Sequence, residues 1–377
     1  MEKSISYSPW RASPTDMRHA LRKKDPRYFH GIGLTDLMVG LAISLLATLV
    51  ILQVAVLFET RRKSTTGIAD AQMNASYALA TIARDFRMAG HGMGPPEALG
   101  CTVRRTLANK ILPDWALWPV SIIDGVDGAP DTLLVFSSGK AQSLTAARLI
   151  TAYTVGTDVF MVNSTLGMST GDRLLLYENG NTQCPLITVT DIPIGDYRVR
   201  HEPMVSGLVT ANTFASGTAV INLGDVHYQR YLVNANNELL LERYNVHQDN
   251  WQGSQLASEV INLQAQFGYD TRATPTGAPR VTRWSAAHID ANANGVMGDE
   301  GDLRRILAVR IAVVSRSSYR SDQGCSSPAP TWWAGNESTG EMEDTPIVVN
   351  TSDDWACYRY RVVQAEVPLR NLIWGDL

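Results

Sequence analysis

From Leu37 to Phe58 the chain runs 22 residues without a charge, LMVGLAISLLATLVILQVAVLF. At about 1.5 Å per residue, such a run coiled as a helix crosses a hydrocarbon layer of roughly 30 Å. The pattern predicts one transmembrane helix. A secretory signal peptide is the competing reading, but the run exceeds the roughly 7 to 15 apolar residues of such a peptide, and no A-x-A cleavage site follows it. Further on, Ile68, Ala75, Leu79, Ile82 and Phe86 recur at helical spacing, a single apolar stripe suited to packing on a folded domain. Gly90, Gly92, Gly94, Pro95 and Pro96 then stop the helix. Beyond Gly94 the pattern changes to short β-branched or alternating runs: Thr132 to Ser137, Ala152 to Val162, Arg173 to Tyr177, Ile306 to Arg316 and Tyr358 to Leu369. Those are strand signals. Tyr228 to Val233, the turn Asn234-Ala235-Asn236-Asn237, and Glu238 to Tyr244 read as a β-hairpin. The fold class expected is α+β, with a long helix, apolar in its first half and amphipathic in its second, packed on a large β-rich head.

Charge sets the orientation. Residues 1–31 hold Lys3, Arg11, Arg18, Arg22, Lys23, Lys24 and Arg27 against Glu2, Asp16 and Asp25, a net of +4. The larger positive flank is expected to stay in the cytoplasm, which sends the long C-terminal part outward. Taking +4 from the whole-chain value of −4 leaves −8 on residues 32–377, so a nucleic-acid partner has no support from net charge. Cys101, Cys184, Cys325 and Cys357 all fall on the outer side, and an even number there suggests two disulfides. Spacing alone allows three connectivities; loop closure and nearness in sequence favour Cys101 with Cys184 and Cys325 with Cys357. The second bridge would restrain a loop rich in Pro, Ser, Trp and acids between Ser321 and Pro346.

The residues entering the membrane are His30-Gly31-Ile32-Gly33-Leu34-Thr35-Asp36-Leu37-Met38-Val39. This string resembles the prepilin peptidase site of type IV pilins, in which a Gly precedes the cut, an apolar residue follows, and a carboxylate stands fifth after it. Gly31, Ile32 and Asp36 take those places; the Asp replaces the family's usual Glu, and a leader of 31 residues is long. Physically, a carboxylate at the head of an apolar helix is costly unless a cation meets it, and a freed amino terminus on a neighbouring helix is such a cation. The block Tyr77-Ala78-Leu79-Ala80-Thr81-Ile82-Ala83-Arg84-Asp85-Phe86-Arg87-Met88-Ala89-Gly90 resembles the helix end of PilW-type minor pilins. Gly268 to Asp270, the AVRIAVVSRS string and Pro368 to Asn371 resemble the heads of the same family. The resemblance implies a leader over 1–31, a pilin helix over 32–90 with its transmembrane segment at 37–58, and a periplasmic head over 91–377.

Two motifs invite chemistry. Gly167-Met168-Ser169-Thr170-Gly171 matches the G-x-S-x-G nucleophile elbow, but a strand pattern follows where a helix is required, so a turn is expected. Between Asp290 and Asp302, the oxygens of Asp290, Asn292 and Asn294, a Gly at the sixth position and the Val296 carbonyl reproduce the first half of a calcium loop. Its twelfth residue is Gly301 rather than Glu, so Asp299, Glu300 or Asp302 would have to close the shell. A solvated Asn-Gly turn ringed by acids is the alternative. No motif requires a cofactor, and calcium is the one ion this pattern would take.

The resemblance implies a structural subunit and no enzyme: a minor pilin that, after cleavage, helps start or cap a type IV pilus. Implied partners are prepilin peptidase, other minor and major pilins through the helix, inner-membrane lipid and a large pilus-tip adhesin. The implied location is the inner membrane with a periplasmic head, then the pilus at the cell surface. A minor pseudopilin of type II secretion and a membrane-anchored periplasmic hydrolase using Ser169 are the alternatives.

Overall fold

The apolar run and the amphipathic stripe belong to one helix, α1, Leu34–Arg87. In the computed structural model the described residues are 33–107, 110–140, 146–193, 195–321, 324–335, 341–349 and 354–373. The chain divides into two compact units, Met1–Glu59 and Thr60–Leu377. In the first, the helix is long and apolar enough to cross a membrane, and its apolar stretch is unburied. Its few polar atoms are turned inward: the Ser44 hydroxyl donates to the Leu41 carbonyl at 2.9 Å and Thr48 to that of Ser44 at 2.8 Å.

The second unit is built from sheets. Strands β1 Thr102–Leu107, β2 Val120–Ile123, β3 Thr132–Ser138, β4 Arg173–Tyr177, β5 Gln183–Asp191 and β6 Ala219–Gly224 are followed by β7 Val226–Val233, β8 Glu238–Asn245 and β9 Asn250–Ser258. Then come β10 Val260–Tyr269, β11 Arg283–Ser285, the one-turn helix α2 Glu300–Leu303, β12 Ile306–Arg316, β13 Thr331–Gly335, β14 Met342–Pro346, β15 Tyr360–Pro368 and α3 Arg370–Ile373. A nine-stranded sheet has β1, β5, β4 and β6 along its middle, with β1 and β5 parallel. A five-stranded sheet runs β9-β8-β7-β3-β2 and a four-stranded sheet β11-β10-β12-β15, both antiparallel.

Most strand expectations match in place. The hairpin forms as β7 and β8, where Asn237 takes a positive φ of 58° and the Asn234 side chain accepts from the amides of Asn236 and Glu238. The single strand expected over Ala152 to Val162 does not form. Two short strands, Tyr153–Thr154 and Val159–Met161, replace it, separated by a turn in which Thr157 Oγ1 donates to the Thr154 carbonyl at 2.9 Å. Gly156 there adopts a φ of 98°, which a β-branched run would resist.

The core joins helix to sheets. Ala75, Ala78, Leu79, Ile82, Ala83 and Phe86 of α1 are buried in one apolar cluster with Phe136, Tyr231, Phe267, Val309, Ile311 and Val313. Burial of such side chains stabilises by about 1.5–3 kcal/mol for each large one. Both disulfides form with the expected pairing, Cys101–Cys184 and Cys325–Cys357. The first sits where Val103 of β1 lies beside Cys184 of β5, so it fixes the parallel pair that sequence-distant strands form with the largest loss of chain entropy.

Candidate functional site at the head helix and the acidic loop

Gly31 and Ile32 lie outside the described residues. Asp36 falls in the first turn of α1, fully on the outside of the helix, where its backbone amide donates to the Gly33 carbonyl at 3.0 Å.

Further along, small residues set how closely the helix meets the head. Gly67, Ala71, Ala75 and Ala78 are buried on one face. A Cβ at Gly67 would stand 3.3 Å from that of Ser317. The buried Ser315 hydroxyl, at the end of β12, donates to the Ala71 carbonyl at 2.6 Å, and Asn74 Nδ2 donates to the Ser258 carbonyl at 3.1 Å. Ile68, the first member of the expected stripe, is only half-buried; the other four are buried.

The Ala-Arg-Asp-x-Arg-Met-Ala-Gly block closes α1 through two contacts that reach across the whole chain. Tyr231, fully buried on β7, donates its hydroxyl to Asp85 Oδ2 at 2.6 Å, and Arg84 Nε lies 3.3 Å from the other oxygen. Burial and the neighbouring carboxylate raise the Tyr231 pKa, so the phenol stays a donor. At the helix end, Asn371 Nδ2 donates to the carbonyls of Arg87 at 3.4 Å and Ala89 at 3.0 Å. It thereby serves carbonyls that a helix C-terminus leaves without partners. The exit turn depends on glycine: Gly94 has a φ of 93°, and a Cβ there would come within 2.5 Å of Ile221.

The acidic loop folds on its own amides. Asp302 is fully buried, and its carboxylate accepts from the backbone amides of Ala291 at 2.7 Å, Asn292 at 3.0 Å and Gly298 at 2.9 Å. Burial raises its pKa against those three hydrogen bonds. Asp290 accepts from the amides of Asn294 at 3.0 Å and Gly295 at 2.8 Å. Asp299 caps α2 by accepting from the Asp302 amide at 2.9 Å, and also takes the side-chain amides of Asn292 at 3.2 Å and Asn294 at 2.5 Å. Glu300 pairs with Arg304 at 2.9 Å. Of the acids proposed to close a calcium shell, Asp302 is therefore a clamp inside the loop and Glu300 is engaged with a cation. Asp290 and Asp299 also accept from within the loop, and the Asn292 and Asn294 oxygens accept from the amides of Asn294 at 3.0 Å and Val296 at 2.8 Å. Among the described residues no three His, Cys, Asp or Glu side chains converge as a metal site.

The G-x-S-x-G match is a turn. The Ser169 amide donates to Asp172 Oδ2 at 2.8 Å, Gly171 has a φ of 91°, and β4 follows directly. The Ser169 hydroxyl contacts Lys140 Nζ at 3.2 Å, but that ammonium is paired with Asp172, also at 3.2 Å. A cation held by a carboxylate is no general base.

Comparison with known proteins bears on the same region. A search of curated proteins found no match. A family model described as type IV pilus-assembly protein W matches residues 229–371. That stretch contains Tyr231, the acidic loop, β10 and β12, and ends at Asn371, so both side chains that lock the end of α1 lie inside it. This match over the C-terminal part of the head, in a chain with an apolar N-terminal helix, supports a PilW-family pilus protein.

Proposed function

We propose that the chain is a minor pilin: cleaved between Gly31 and Ile32 by prepilin peptidase, anchored by α1 in the inner membrane with its head in the periplasm, then built into a type IV pilus. The observation that carries this reading is the PilW match over residues 229–371 together with a helix whose apolar window is unburied and whose far end is locked into the matched region. A subunit drawn into a fibre by its helix must transmit that pull to its head. Hydrogen bonds at Ala71, Asp85, Arg87 and Ala89 spread the load from Ala71 to the terminus of α1, about four turns. In this reading the apolar segment packs among the helices of other minor and major pilins, and the Asp36 carboxylate meets the amino terminus of a neighbour. A tip adhesin and roles in adhesion and motility follow from the family resemblance. A calcium ion at Asp290, Asn292, Asn294, Val296 and Asp299 belongs to the same proposal.

Deleting the gene and complementing it tests the function and separates it from a secretion pseudopilus. Surface pili should fall sharply, return with the unaltered gene, and stay low with Asp36→Ala. Unchanged piliation with loss of secreted enzymes would place the chain in the secretion machinery instead.

A further inference from the structure

Within the second unit, a cavity of about 460 Å³ is walled by Ser64 and Ile68 of α1, by Ser327 and Thr331, and by Arg359 and Arg361 where β15 begins. No acidic residue is among the described residues that line it. Arg359 and Arg361 are exposed, and two positions apart in an extended segment puts them on one face, about 7 Å from each other. Neither has an ion pair among the described residues; on adjoining segments, Asp354 is held by Arg320 at 3.2 Å and Glu259 by Arg316 at 2.7 Å. Ser327 is only 9% exposed, and its hydroxyl has no hydrogen-bond partner among the described residues, which leaves it to the cavity. A buried hydroxyl ordinarily has one. The walls are fixed to each other. The Cys325–Cys357 bridge joins the loop carrying Ser327 to the segment carrying Arg359, and the Ser327 amide donates to the Ala356 carbonyl at 2.9 Å. The Arg359 amide donates to the Ser317 hydroxyl at 3.2 Å, and its carbonyl accepts from the Ser317 amide at 2.7 Å. Groups held in place before a ligand arrives lower the cost of binding it.

Two cations and three hydroxyls around a space without acids suit an oxyanion, and Ile68, Pro330 and Val362 add apolar contact beside it. Position on α1 points to its source. Ser64 stands six residues past Phe58, the end of the uncharged run, which is about 9 Å along the helix. Headgroups extend roughly 5–7 Å beyond the hydrocarbon on each side of a bilayer, and flexible arginine stems bridge what remains. Arg61 and Arg62, exposed on the intervening turn, add positive charge that favours anionic lipid. We propose that the cavity binds the phosphate of an anionic phospholipid headgroup while the subunit is in the membrane, an inference that rests on α1 being the anchor of the reading above.

The test uses the full-length chain in uncharged detergent micelles doped with equal amounts of phosphatidylglycerol or phosphatidylcholine. Phosphatidylglycerol should raise the melting temperature by several degrees more than phosphatidylcholine does. Arg359→Gln with Arg361→Gln should erase that difference and leave the melting temperature in detergent alone unchanged, since both side chains are exposed. Arg61→Gln with Arg62→Gln should keep most of it. Native mass spectrometry makes the same comparison without reference to stability: the unaltered chain should retain phosphatidylglycerol several-fold better than the Arg359→Gln, Arg361→Gln chain. Equal effects of the two lipids, or selectivity that survives loss of Arg359 and Arg361, would overturn the proposal. So would a full rise produced by inorganic phosphate without lipid, which would make the site one for free anions. Nothing in this test reads cleavage or piliation, so its failure would leave the minor-pilin reading standing, and unchanged piliation on deletion of the gene would leave the lipid site standing.

Discussion

Replacing Tyr231 by Phe removes one oxygen from the junction between α1 and the head and leaves the ring in place. The lost hydroxyl donates to Asp85 at 2.6 Å, and the Asp85 side chain is only 16% exposed. Arg84, 70% exposed, is its remaining ion-pair partner at 3.3 Å, and so exposed a pair contributes little. A hydrogen bond to a charged acceptor contributes about 1.5–3 kcal/mol, and an under-partnered carboxylate is costly to keep buried. Tyr231→Phe should therefore destabilise by about 2 kcal/mol, a fall of roughly 4 °C in melting temperature for a domain of this size. The assay is denaturant unfolding of the full-length chain in detergent micelles, followed by tryptophan fluorescence, for Tyr231→Phe, Asp85→Asn and the double variant. Coupling between the two positions of at least about 1 kcal/mol is expected. Additive effects, or a Tyr231→Phe chain within about 0.5 kcal/mol of the unaltered one, would show that the contact does not hold the helix end.

Asn371→Ala should free the carbonyls of Arg87 and Ala89 at a cost of about 1 kcal/mol, seen as roughly fivefold faster amide exchange in the last turn of α1; unchanged exchange would contradict the capping role. His288, stacked on Phe267 at 4.5 Å and near Trp118 at 4.3 Å, has its pKa pulled down by burial from 6.5 to about 4. It is neutral when folded, so the unfolded chain takes up its proton first, and the contribution is complete above pH 6.5 and lost as pH falls towards 4. The fall amounts to about 3 kcal/mol, and His288→Phe should remove it; parallel stability curves for the two proteins over that window would refute the assignment. Calcium should raise the melting temperature relative to chelator, and Asp290→Ala with Asn292→Ala should erase the difference; equal values for the unaltered protein in both buffers would leave the loop a turn held by its own amides.

What the sequence could show was what local pattern records. The uncharged run at 37–58, the stripe through Ala75, Leu79, Ile82 and Phe86, and β3, β4, β7, β8 and β12 were all legible from periodicity and turn residues. The Asp85–Tyr231 and Ala89–Asn371 contacts were not, because partners separated by 146 and 282 positions leave no trace in spacing. The blocks at Arg84 to Gly90 and Pro368 to Asn371 are far apart in sequence, and the structure shows the second capping the first through Asn371. Oxygen spacing marked the acidic loop, yet gave no hint that α2 turns the Asp302 carboxylate inward onto three amides. The strand expected over Ala152 to Val162 failed because Gly156 within it takes a positive φ and a turn forms.

The most direct measurement is mass spectrometry of pili sheared from cells that carry the native prepilin peptidase. The account predicts this chain among the fibre proteins, with Ile32 as its amino terminus and Cys101–Cys184 and Cys325–Cys357 intact. Its absence from sheared pili, or its presence with residues 1–31 still attached, would contradict the claim that it is a processed pilus subunit.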